Sequence, residues 1–184
     1  MKPIAAVRPL AAVLALAAGL AFAAPPAARA DVKAELLAQY DAAADKLNQL
    51  ARAMPADKYG WRPGNGVRSV SEVFMHVAGG QYFLLGFVGI EAPKGTPKDL
   101  EKITDKAAVV EQLKTALDWA RRKIAQAKPE DLDKAAKLPW RETNGLGVFM
   151  TSVSHLHEHL GQAIAYARSN GVVPPWSRQP GGSN

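Results

Sequence analysis

Three of the four histidines in this 184-residue chain fall within "HLHEHLGQ", residues 155–162. On an α-helix, residues four apart point the same way to within about 40°, and residues two apart diverge by about 200°. His155 and His159 therefore share a face, which Gln162 and Tyr166 continue, while His157 points away. Two imidazoles at i and i+4 can bind one divalent ion, as in the helical HExxH motif. This stretch is not HExxH, because Glu158 follows His157 and no histidine stands at 161. The fourth histidine, His76, lies in "EVFMHVAGGQYF" among Phe74, Met75, Val77 and Phe83. Taken singly, His155 and His159 read as polar residues at a bundle edge and His76 as a satisfied core residue. Taken together, three neutral imidazoles with water in the remaining position make a common catalytic metal arrangement. Glu72, one turn before His76, is a candidate base or a partner that orients a ligand; the plainer reading is a helix-start charge that favours the N-terminal dipole. Gln162 is a candidate hydrogen-bond partner on the histidine stripe.

These residues need elements to hold them, and the apolar spacing supplies four. Leu36, Leu37, Tyr40, Ala44, Leu47 and Leu50 recur at helical intervals and predict a helix over about Val32–Ala53. It stops at "MPADKYGWRPGNG", whose prolines and glycines cannot continue it. A second helix is expected over about Ser69–Gly89, with Ser69 or Ser71 as cap and Glu72 at the capping-box distance from Ser69. After "EAPKGTPKD", Val109, Leu113, Leu117, Ala120 and Ile124 mark a third over about Asp105–Ala127. Pro129 opens a further turn. The fourth spans about Gly147–Asn170 and ends at Asn170-Gly171. "VVPPWSRQPGGSN" then reads as an extended tail. No stretch sustains strand alternation. The expected class is all-α: four helices of roughly 30 Å each, at 1.5 Å per residue, forming a four-helix bundle.

The first 30 residues are set apart. Lys2 and Arg8 precede the apolar run "LAAVLALAAGLAFAA", and Ala28-Arg29-Ala30 forms an A-x-A site, the layout of a secretory signal peptide. The domain division is therefore residues 1–30 as leader and 31–184 as one bundle domain, exported to the periplasm or secreted, with no membrane span after cleavage. The leader carries Lys2, Arg8 and Arg29 and no acid, so the net charge of +6 falls to +3. That excess is modest and spread along the chain, so it argues neither for a nucleic-acid partner, and none is expected, nor for an anionic membrane. There is no cysteine, which excludes disulfides, a thiolate nucleophile and Cys metal ligands.

"YGWRPGNGVRSVSEVFMHVAGGQYFLLG" resembles the beginning of the second helix in the DinB/YfiT-like superfamily, with its W-x-P segment, Ser-led helix and mid-helix histidine. "HLHEHLGQAIAYARSNGVVPP" is similar to that family's last helix, H-x-x-x-H-x-G-Q followed by Y-x-R-x-x-G-x-x-P-P. The resemblance spans almost the whole of residues 31–184. It implies a four-helix bundle of unusual connectivity binding a divalent ion through three histidines, here His76, His155 and His159. The leading expectation is a metal-dependent hydrolase acting on a small substrate, with zinc or nickel the first candidates. Imidazole ligands also suit copper and iron. A non-catalytic metal- or ligand-binding bundle and a thiol-dependent S-transferase are the alternatives. Members of the family often pair, so a homodimer fits the resemblance. Most of its characterised thiol transferases work inside the cell, whereas a leader implies export.

Overall fold

A computed structural model describes residues 31–178; the expected leader lies outside the described residues. Four long helices carry the fold: α1 (Val32–Ala53), α2 (Val70–Gly86), α3 (Lys106–Gln126) and, after a short α4 (Pro129–Asp133), α5 (Gly145–Ser169). Each long helix starts where a side chain accepts an otherwise orphaned backbone N–H. Asp31 accepts from Lys33 and Ala34, Asp105 from Ala108, and Asn144 from Gly147. At α2 the capping box is complete, since Ser69 accepts from the Glu72 N–H and Glu72 accepts from the Ser69 N–H.

Helix α1 packs against α3 and α5, and α2 packs against the same two. Consecutive helices α1 and α2 thus lie across a diagonal of the bundle. The core between them is closed by fully buried Tyr40, Leu47, Phe74, Leu85, Leu117 and Phe149, among others. At its centre Ser152 Oγ donates to Gln81 Oε1 (2.7 Å), and the Tyr40 hydroxyl lies 3.2 Å from the same oxygen and 3.1 Å from the Leu117 carbonyl. A diagonal connectivity requires long links between helices. The α2–α3 link runs back along α2 and forms a 3₁₀ turn over Leu100–Lys102 against it.

One element departs from expectation. Residues Ala135–Leu138 and Arg141–Asn144 form an antiparallel hairpin, β1 and β2, paired from Ala135↔Asn144 to Leu138↔Arg141. The strands are four residues each, too short to display sustained alternation, although Leu138 is fully buried. The two-residue tip is Pro139-Trp140, and no non-glycine residue among those described has positive φ. The tip therefore lacks the Asn-Gly signature of the usual primed hairpin turns. Helix α5 follows β2 directly and approaches α4 so closely that a Cβ on Gly145 would lie 1.9 Å from the Asp131 carbonyl oxygen. The second helix ends at Gly86, three residues early, and the tail contains a 3₁₀ turn at Pro175–Ser177.

Candidate metal centre

Because α2 packs on α5, the middle of one faces the middle of the other, and His76 meets His155 and His159 there. One ring nitrogen from each of the three lies within 4.8 Å of the others. The Nε2 atoms of His76 and His155 are 3.2 Å apart, and His159 packs edge-on against both rings. His157 is exposed on the opposite face of α5.

The remaining nitrogens determine which atoms are free to ligate. His76 Nδ1 lies 3.0 Å from Glu101 Oε1 on the 3₁₀ turn, and Arg68 Nε donates to the other oxygen of that carboxylate at 3.1 Å. Burial pulls the Glu101 carboxyl up, but the hydrogen bonds and charges of Arg68 and His76 outweigh it and hold the group below its ordinary value. An ionised carboxylate only accepts, so His76 carries its proton on Nδ1 and presents Nε2 bare. His159 Nδ1 lies 2.8 Å from Gln162 Oε1; Gln162 Nε2 donates to the Tyr166 hydroxyl (3.1 Å), which donates to the Arg68 carbonyl (3.1 Å). That chain of donors places the His159 proton on Nδ1 as well. His155 Nδ1 is buried without a partner among the described residues.

The donor set fits a divalent ion. Ligation needs neutral imidazoles, and burial lowers the pKa of His76, aided by Arg68 and His159 against the opposing pull of Glu101. His155 is pushed down to about 4, first by burial and then by the neighbouring His159, His76 and Arg68. Two of the three rings have the outer hydrogen bond that fixes a metal-ligating histidine.

Three contributors are not evident from spacing. Glu101 sits 25 residues from His76 in a polar link. Gly80 makes room for a ligand ring, since a Cβ there would lie 2.4 Å from His155 Cε1. Arg68 supports both outer partners, its side chain on Glu101 and its carbonyl on Tyr166. Glu72 is placed in the first turn of α2, where one oxygen accepts from Ser69 N at 2.6 Å and Arg62 lies within 3.2 Å of the carboxylate. The Ser69 backbone bond, against the opposing effect of burial, holds the Glu72 carboxyl below its ordinary value, with the Ser69 side chain and Arg62 adding to it. A carboxylate so stabilised is a weak proton acceptor. Gln162, by contrast, touches a ligand.

His76 and His155 open onto a cavity of about 930 Å³ between α2, α5, the 3₁₀ turn and the hairpin tip. His76, His155 and Glu101 form part of its wall, with Phe83, Met150 and Trp140 around them. No helix among the described residues is long and apolar enough to cross a membrane.

Residues 39–163 match the family model of the DinB superfamily. No curated protein matches the chain. Among solved structures, a DinB-like protein from Bacillus subtilis is 18% identical, with 79% of this chain and 98% of that one covered and a TM-score of 0.62. A DinB-like protein from Bacillus cereus is 16% identical, with coverage of 76% and 93% and a TM-score of 0.65. YfiT from Bacillus subtilis, described as a probable metal-dependent hydrolase with an unusual four-helix bundle topology, is 14% identical, with coverage of 82% and 94% and a TM-score of 0.62. At these identities the likeness is one of fold, and it agrees with the diagonal helix arrangement seen here. The match over residues 39–163, which contains all four histidines, places this chain in the DinB superfamily.

Proposed function

We propose that the protein is a divalent-metal-dependent hydrolase acting on a small molecule held in the cavity beside His76, His155 and His159. One observation carries this reading: ring nitrogens of three histidines from two helices converge, and two of these rings, His76 and His155, lie on the wall of a ligand-sized concavity. The likeness in fold to YfiT, described as a probable metal-dependent hydrolase, supports it. An ion held there would supply Lewis acidity toward a carbonyl oxygen or water. The chain's own residues do the positioning. Glu101 and Gln162 hold the rings of His76 and His159 with Nε2 free, and the cavity walls enclose the substrate beside them. Zinc or nickel is the expected ion, since both accept imidazole ligands. Elemental analysis of untagged protein, beside His76→Ala, tests the site. Stoichiometric metal in the wild type and none in the variant is expected, and turnover of ester and amide substrate panels tests hydrolysis.

A non-catalytic binding bundle is the second reading, and the position of Glu72 favours it, because this candidate base is engaged as a helix cap. Metal at full stoichiometry without turnover of any substrate would select it. A thiol-dependent S-transferase would need its thiol from outside, since the chain has no cysteine. Export is proposed from the leader sequence alone. N-terminal sequencing from the native host is expected to find Asp31, and an intact Met1 would overturn it.

A further inference from the structure

The cavity beside the histidines has an uneven lining, and its unevenness describes a ligand. Phe83, Trp140 and Met150 are large apolar side chains that remain 55%, 59% and 55% exposed around this single concavity. Exposed apolar groups scattered singly need no explanation, but a cluster around a concave site marks surface that a ligand covers. The charges of the lining are unequal in a second way. Asp99 is paired with Lys102, and Glu101 with Arg68 and His76. Arg141 and Lys98 have no carboxylate within ion-pair distance among the described residues, and Glu158 is the one lining acid without a basic partner there.

Arg141 is held rather than neutralised. Its Nη2 lies 3.3 Å from Thr151 Oγ1 and 3.5 Å from the Gly147 carbonyl, both neutral oxygens at the start of α5. The fork retains further N–H donors, in the geometry that matches a carboxylate. The register Leu138↔Arg141 sets it directly after Trp140 at the hairpin tip, so an aromatic face and an unpaired guanidinium border the cavity side by side.

We infer that the cavity binds a small carboxylate with an apolar body, the body against Trp140, Phe83 and Met150 and the carboxylate on Arg141. As a substrate class this rests on the hydrolase reading above, in which the bond to be broken lies beside His76 and His155; as a binding mode it stands on the cavity alone.

Calorimetric titration of the metal-free chain from Asp31 onward tests it, with the phenylalkanoates from phenylacetate to 4-phenylbutyrate and their uncharged primary amides as probes. The best acid is expected to bind about 10–100-fold more tightly than its amide, the range for a hydrogen-bonded charge. Arg141→Met should remove that preference while the amide still binds, Arg141→Lys should retain only part of it, and Trp140→Ala should weaken acid and amide alike. Zinc stoichiometry, measured in parallel, should be unchanged in all three variants. Equal binding of acid and amide, a preference that survives Arg141→Met, or no binding by any probe overturns the inference. Absent zinc with the acid preference intact would instead overturn the hydrolase reading and leave the ligand class standing.

Discussion

His155 depends on a residue that has no side chain. The ring occupies the space where a Cβ of residue 80 would stand, so Gly80→Ala must displace a ligand. Displacing a ligand's support typically costs metal affinity about 10–100-fold, and zinc titration of a folded Gly80→Ala protein is expected to fall in that range. The stripe on α5 makes a sharper division. His155→Ala and His159→Ala should abolish stoichiometric metal, whereas His157→Ala, exposed on the far face, should retain it; equal losses from all three would refute the assignment. The same residues set an acid response. In the metal-free fold His155 titrates near 4 rather than 6.5, so between those values the unfolded chain binds a proton that the folded chain refuses. Stability from this group is complete above about 6.5 and is lost as pH falls toward 4. Melting of chelator-treated protein should show that decline, and His155→Asn should flatten it.

At the scale of elements, α2 and the links around it carry the site. Its first turn is held by the Ser69–Glu72 box, and loss of an N-cap costs about 1 kcal/mol, so Ser69→Ala should lower the denaturation free energy by about that much. Glu72 offers a cleaner separation of roles. Glu72→Gln retains an acceptor for the Ser69 N–H and should leave the fold intact. If Glu72 only caps, turnover should also survive, and a large fall in kcat with normal stability would establish it as the base. The α2–α3 link is more than a connector, since it delivers Glu101 to His76. The hairpin likewise serves as a wall, bringing Trp140 and Arg141 to the cavity.

For the whole molecule, the ligands join α2 to α5, and their outer partners join both helices to the two long links. Trp61 packs edge-on against Tyr166, whose hydroxyl donates to the Arg68 carbonyl, so the α1–α2 link is fastened to α5 beside His159. An ion that binds only this assembled arrangement stabilises it by mass action, by about 2.7 kcal/mol at a free concentration 100 times its dissociation constant. Chelation at pH 7.5 should therefore lower the melting temperature. The effect should shrink toward pH 5, where protons compete for the imidazoles. His76→Ala should melt at one temperature with or without chelator. A wild-type melting point that ignores chelator at pH 7.5 would count against a bound ion.

The sequence by itself determined what is local. Apolar spacing marked all four long helices, and the i, i+4 relation put His155 and His159 on one face with His157 off it, because a helical period needs no knowledge of neighbours. Ser69 and Glu72 were legible as a cap for the same reason. Whether His76 would face that pair depended on α2 lying against α5, and packing across a diagonal bundle decides that. Glu101 and Gly80 had no signal at all, one a charge in a polar link and the other a glycine in a helix, since each matters only through an atom brought to it from elsewhere. The hairpin escaped for a different reason. Its strands are four residues long and its Pro139-Trp140 tip lacks turn chemistry of the usual kind, so its pairing is supported by tertiary contacts with α5 rather than by local preference.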